Sequence, residues 1–305
     1  MYNSEESIAR QIHDIIDKEL TRAGLLFRVF YRAKTKHSID SKVSNNPGKY
    51  TPDGKKIQDL YGIRVALYFS DDSSLAQNAI KNIFEYDHSS SAIDKNEINL
   101  FAATKCNLIF KLSRDLIEQS SILSTNPLID KTFEVQFRTI LSEGWHEVEH
   151  DLRYKCSDDW RNKDDLSRAF NGIYASLETS DWSMLKLFED LAYKHYKSQR
   201  WEAMIRHKFR LRLTTQLSKE LSEAITSEQL GKNIYRINRS DFLRKIFMSK
   251  INIPITMNNI VFLCNLFYIN NKVILEKTPL PIVNMFKESE EYINPKAKPR
   301  VEVTI

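Results

Sequence analysis

The sequence has little of what would let it turn tightly, cross-link itself or enter a membrane. It holds 7 glycines and 8 prolines in 305 residues, which excludes collagen-like and low-complexity architectures and argues for a helix-rich chain with few tight β-turns. Its three cysteines, Cys106, Cys156 and Cys264, are odd in number and far apart. They offer neither a disulfide framework nor a metal-binding spacing, and they fit a reducing, cytoplasmic compartment. No apolar run approaches the roughly 20 residues that span a bilayer; the best candidate, 260–269, is interrupted by Asn265. The first twenty residues are amphipathic and of mixed charge, unlike the basic start and apolar core of a signal peptide.

What is present is the composition of a soluble globular protein, 42% hydrophobic and 28% charged, long enough for one large domain or two ordinary ones. The net charge of +5 is mild but uneven: residues 200–250 carry 12 Lys and Arg against 5 Asp and Glu, most densely at 206–212. A solvated helix face accounts for such a run, and nucleic-acid contact is the sharper alternative.

Apolar spacing at Ile8, Ile12, Ile15, Ile16 and Leu20 predicts a helix over 5–23, with Ser4, Glu5 and Glu6 at its start. Residues 44–56 read as a loop. Strands are expected at 63–69, 107–112 and 132–138, and a helix over 73–84 behind Asp71 and Asp72. The Ser-rich stretch 86–97 reads as polar and mobile. Helical spacing returns at 140–153, over a long region at about 162–224, and around 240–249; an apolar stretch follows Pro254. A domain boundary is placed near 205, separating 1–205 from a mainly helical 206–305.

On strand 132–138, Phe133, Val135 and Phe137 alternate with Glu134, Gln136 and Arg138, so one face is core and the other polar. A carboxylate, an amide and a guanidinium on a half-buried strand are costly unless they bind something; a solvent-facing edge is the plainer reading. Asp59 precedes strand 63–69. Two carboxylates at neighbouring strands can hold Mg²⁺, and Arg32, Lys34, Lys36 and Lys42, with Ser38, can neutralise and hydrogen-bond phosphates. A lysine-rich surface explains the latter equally well.

Taken in order, RAKTKHSIDSK (32–42), IQDLYGIRVALYFSDD (57–72), FEVQFRT (133–139) and WHEVEHDLRYK (145–155) resemble the synthetase domain of the RelA/SpoT family over roughly residues 10–200. The resemblance implies an α+β, nucleotidyltransferase-like fold, a mixed sheet flanked by helices. It also implies transfer of the β,γ-pyrophosphate of ATP to a ribose 3′-hydroxyl with Mg²⁺. By position, Arg32 and Arg64 are to sandwich the adenine, and Lys34, Ser38 and Lys42 to lie along the ATP phosphates. Asp59 is to ligate the metal. Glu134 is to hold the metal or act as base, with Gln136 and Arg138 shaping the acceptor side. Glu149-His150 and Tyr154-Lys155 match family pairs, and Trp145 is expected in the core.

Two departures bear on function. The family's Gly-Tyr-x-Ser-x-His segment, whose Tyr stacks on guanine, corresponds here to residues 101–107. Placing Asn107 at the histidine puts Ala103 at the Tyr and Lys105 at the Ser, so the guanine platform is missing, with Phe101 or Tyr86 as substitutes. No His-Asp hydrolase domain is expected ahead of Arg32; His150-Asp151 lies within the synthetase motif, and His13, His37, His88, His195 and His207 lack ligand spacing. Three readings stand. One is an alarmone synthetase acting on a guanine nucleotide. The second is a toxin-like relative that modifies the 3′ end of tRNA, docked through the basic segment 200–212. The third is a degenerate fold used for binding or regulation. A homo-oligomer stays open.

Overall fold

The computed structural model describes residues 4–93, 106–213, 215–249 and 251–293. The chain forms two compact units, one of 1–19 and 27–183 and the other of 20–26 and 184–305.

The first unit is built on a mixed five-stranded sheet in the order β1-β2-β5-β4-β3. Its strands are β1 (Phe27–Ala33), β2 (Tyr61–Leu67), β3 (Tyr86–Ile93), β4 (Cys106–Lys111) and β5 (Thr132–Thr139). β2 and β5 are parallel and the other pairs antiparallel. The parallel pair needs a crossover, supplied by α3 (Ser73–Lys81), β3, β4 and α4 (Arg114–Gln119). Helix α1 (Ser4–Arg22) starts the unit, α2 (Lys36–Ser44) follows β1, and α5 (Ile140–Glu149) follows β5, running into a π-helical turn at His150–Tyr154.

The expected alternation on β5 is observed: Phe133 and Val135 are fully buried and Phe137 nearly so, while Glu134, Gln136 and Arg138 turn to the opposite face. Phe133 stacks on Phe110 at 5.5 Å and meets the edge of Phe84 at 4.9 Å. Ile8, Ile12, Ile16 and Leu20 of α1 are fully buried, as the stripe requires, although Ile15 is 40% exposed. Trp145 is buried in the core, its indole donating to the Phe170 carbonyl at 3.0 Å and its ring stacked on Phe170.

Two elements differ from expectation. Residues 86–93, read as polar and mobile, form β3. An edge strand is held by its ladder and needs no apolar alternation, and here the bulge between Asp87 and Ala92 is shaped by Asp87 accepting from Ser89 and Ser90. Residues 94–97 of that stretch lie outside the described residues. Strand β1, to which no element was assigned, pairs along all seven residues with β2.

Helix α1 is pinned at its start. The buried Glu5 carboxylate accepts from the Tyr61 hydroxyl, from Ser120 Oγ at 2.8 Å, Ser121 Oγ at 2.9 Å and the Ile122 amide at 3.1 Å. Burial pushes its pKa up, but the hydrogen bonds from Tyr61, Ser120, Ile122 and Ser121 outweigh it and hold Glu5 below the ordinary 4.5. A depressed carboxylate contributes stability above its unfolded pKa and loses it as pH falls through the folded value. The stability margin of wild type over Glu5→Gln should therefore be largest near neutrality and shrink below about pH 4.5, as followed by urea titration from pH 7 to pH 3.

The second unit is helical. The long helix α6 (Asp164–Lys197) belongs to the first unit up to Ser183 and to the second from Met184. It is followed by α7 (Trp201–Phe209), α8 (Lys219–Ser227), α9 (Gly231–Arg236), α10 (Arg239–Met248), α11 (Met257–Cys264), α12 (Lys272–Lys277) and α13 (Leu280–Ile293). The long helical region expected at about 162–224 is divided into separate helices where Gln199 and Arg210 take the left-handed conformation that ends helices. Gly231 must lack a side chain, because a Cβ there would meet the Trp201 ring at 2.3 Å. The basic segment is partly absorbed into this packing: Arg206 pairs with Glu202, Lys208 lies over Tyr235, and Arg210 is buried. Among the described residues, no helix is long and apolar enough to cross a membrane.

Candidate active site

Cross-strand register brings the sequence-selected residues onto one face of the sheet. Residues paired across neighbouring strands share a face. Arg32, Gly62, Glu134 and Ile109 form one row, and Phe30, Arg64, Gln136 and Asn107 form the next. The third row holds Arg28, Ala66 and Arg138. Arg32 lies across Gly62, where a Cβ would stand 3.4 Å from its Nε. A cleft opens over the first two rows, lined among others by Phe30, Arg32, Arg64, Glu134, Gln136 and Glu147.

Beside it sits a cationic group. Helix α2 is capped by Thr35, whose hydroxyl accepts from the Ser38 amide at 3.2 Å. Lys42 is one turn beyond Ser38, on the same side of the helix. Lys42 reaches Asp59 at 2.8 and 2.9 Å, and Lys34 reaches the same carboxylate at 3.3 Å. Burial raises the Asp59 pKa, but Lys34 and Lys42 more than offset it and hold the group below its ordinary value. One carboxylate serves two ammonium groups. Burial, and then the neighbouring Lys42 and Arg32, outweigh Asp59 and depress Lys34. Further negative charge at this position is therefore welcome, as a phosphate chain would supply.

Glu134 is half-buried and accepts from Asn107 Nδ2 at 2.9 Å and Gln136 Nε2 at 2.8 Å. Burial and then the Asp59 charge raise its pKa against those two hydrogen bonds. A carboxylate whose charge a second carboxylate disfavours fits a site for a divalent cation. Among the described residues no three His, Cys, Asp or Glu side chains converge as a metal site. A cation here would depend on this pair and on ligand oxygens, the mode Mg²⁺ favours.

Arg64 and Arg138 are held from α5. Arg64 donates to Glu143 at 2.7 Å and to Glu147, and Arg138 lies 3.6 Å from Glu143. His146, between them on the helix, is kept neutral by burial and by Arg138 and Arg64, its pKa pushed down to about 3. Arg138 therefore anchors the sheet to α5 and reaches Gln136 only at 3.4 Å. Farther along the helix, Lys155 pairs with Asp151 and Arg153 with Glu149, while Tyr154 is 72% exposed.

Glu143 and Glu147 were not singled out from the sequence. Their four-residue spacing within ILSEGWHEVE was the available signal, since it puts both on one helix face. Also unanticipated is a polar cleft of about 540 Å³ lined by Gly54, Lys55, Lys56, Gln58, Ser89, Ser90 and Asp130. Phe101, Ala103 and Lys105, the residues bearing on the guanine platform, lie outside the described residues; Asn107, at the far end of that segment, is the partner of Glu134.

A family model described as a region found in RelA / SpoT proteins matches residues 31–159, a span holding every residue of these rows but Arg28 and Phe30. The chain carries a RelA/SpoT domain. That domain, residues 31–159, is of the pyrophosphokinase type of transferase. Among solved structures, small alarmone synthetase 2 from Bacillus subtilis is 22% identical, with a TM-score of 0.40 over 57% of this chain and 86% of its own. Small alarmone synthetase 1 from Bacillus subtilis, bound to its product pppGpp, is 16% identical, with a TM-score of 0.48 over 62% and 95%. A GTP pyrophosphokinase family protein from Streptococcus pneumoniae is 16% identical, with a TM-score of 0.45 over 61% and 90%. No curated protein sequence matches the chain. In the RelA/SpoT domain described here, both guanidinium groups, both ammonium groups and both carboxylates gather around β1, β2 and β5.

Proposed function

We propose that the chain transfers the β,γ-pyrophosphate of ATP to the 3′-hydroxyl of a guanine nucleotide, making a (p)ppGpp-type product. The observation that carries this reading is the gathering of Arg32, Arg64, Lys34, Lys42, Asp59 and Glu134 about one sheet face, within the span matched by the family. Phosphoryl transfer is chiefly alignment and charge neutralisation, and these groups supply both. Arg32 and Arg64 hold the base by stacking. Lys34 and Lys42 neutralise the triphosphate, with Ser38 donating a hydrogen bond. Asp59 would hold Mg²⁺, which when bound adds positive charge against the phosphate oxygens.

The acceptor 3′-oxygen attacks the β-phosphorus of ATP. The bond from that phosphorus to the α–β bridging oxygen breaks, and AMP leaves. The hydroxyl proton passes to the Glu134 carboxylate, which its raised pKa suits for that role. Gln136 and Asn107 keep the carboxylate aimed. The cleft at Lys55, Lys56, Ser89 and Ser90 offers cations and hydroxyls to phosphates of the acceptor.

The test is ATP labelled in its terminal phosphates, incubated with Mg²⁺ and with GDP, GTP, ADP, ATP or bulk tRNA in turn. AMP should form together with a labelled guanine nucleotide. Label found on tRNA and on no free nucleotide would move the acceptor to RNA. Absence of AMP with every acceptor would leave a binding or regulatory protein.

A further inference from the structure

The donor cleft contains a carboxylate that the proposed transfer does not use. Glu143 and Glu147 both bind Arg64, yet they are differently placed. The Glu143 side chain is 11% exposed and lies between Arg64 and Arg138, so it alone can keep Arg64 in position. The Glu147 side chain is 53% exposed and lines the cleft beside Phe30, Arg32 and Arg64. An ion pair so open to solvent adds little to the fold. Its carboxylate is better explained by what it presents to an occupant of the cleft.

A flat base held against Arg32 and Arg64 turns its edge toward the cleft wall. An ionised carboxylate can only accept hydrogen bonds. The 6-amino group of adenine donates, whereas the 6-oxo group of guanine or hypoxanthine accepts and would face Glu147 acceptor to acceptor. The other carboxylate of the cleft, Glu134, is occupied by Asn107 and Gln136. We propose that Glu147 is the specificity-determining residue of the donor site, selecting a 6-amino purine nucleotide by accepting its exocyclic N–H and disfavouring a 6-oxo purine. This rests on the reading of the cleft as the donor site.

The test is calorimetric binding of the α,β-methylene analogues of ATP and ITP, which differ at the purine 6-position, to wild type, Glu147→Ala and Glu147→Gln. Binding needs no turnover, so the outcome is separate from that of the transfer assay. Wild type should bind the ATP analogue at least about tenfold more tightly, and both variants should bring the ratio within about threefold. Glutamine can turn either its oxygen or its amide outward, so Glu147→Gln should gain affinity for the ITP analogue. Thermal melts confirm that the variants fold. Selectivity lost in both variants supports the proposal even where wild type transfers nothing. If both analogues weaken equally at Glu147→Ala and the ratio holds, Glu147 merely positions Arg64 and the proposal is overturned. Equal binding of the two by wild type also overturns it, and binding of neither overturns the donor-site reading with it.

Discussion

Replacing Glu134 by glutamine is expected to lower kcat for pyrophosphate transfer by about a thousandfold or more while leaving the protein as stable as wild type. A positioned proton acceptor contributes on the order of 10²–10⁴ in rate, and Glu134 is the carboxylate held by Asn107 and Gln136 over the sheet face. The substitution is nearly isosteric. It removes a half-buried charge that burial and Asp59 already oppose, so folding loses little. One of the two amide donors must find the glutamine nitrogen opposite it, a modest cost that turning the side chain limits. The measurement is AMP release beside a thermal melt. A variant retaining a tenth of the activity would remove Glu134 from the chemistry, and one that melted far lower would show that the carboxylate serves the fold.

The second large effect comes from the other face of the same strand. Phe133→Ala should cost about 3–5 kcal/mol, the range for emptying an aromatic site in a core. Phe133 is fully buried, stacked on Phe110 and edge-on to Phe84. Its loss leaves a cavity that the paired strands on both sides of β5 cannot close. Denaturant unfolding should show a lower midpoint with an unchanged slope for the transition of the first unit, and Phe133→Leu should recover a good part of the loss. Activity below the unfolding range should change far less than in Glu134→Gln.

These neighbouring residues show which signals the sequence carries. The alternation of Phe133, Val135 and Phe137 with Glu134, Gln136 and Arg138 is a local pattern of period two, and it survives into the structure because burial on one face enforces it. Strand β1 escaped because Arg28, Phe30 and Arg32 point away from the core, so its apolar residues do not alternate cleanly, and its end merges with a lysine-rich stretch. Strand β3 escaped because an edge is held by backbone hydrogen bonds to which Ser89, Ser90 and Ser91 add no apolar mark.

The candidate site was legible in part for a related reason. Residue types and the order of the motifs pointed to Arg32, Lys34, Asp59, Arg64 and Glu134. Their meeting depends on the parallel pairing of β2 with β5, and the separation of 72 positions from Gly62 to its partner Glu134 leaves no local trace of it. The clamp on Arg64 by Glu143 and Glu147 depends likewise on where α5 starts, which the Thr139 cap decides. Helix spacing alone showed that the two glutamates share a face, and not which residue they meet.

The sheet order has a practical consequence for anyone wishing to rebuild this molecule. β1 and β2 flank β5 on one side, and the β4–β3 hairpin flanks it on the other. β5 alone pairs with both halves. The hairpin can therefore be exchanged for one from another protein by remaking a single ladder, the antiparallel seam from Asn107↔Gln136 to Lys111↔Thr132. The three strands that carry Arg32, Arg64, Arg138 and Glu134 would keep their own pairing through such a graft, and Asp59 its place just ahead of β2.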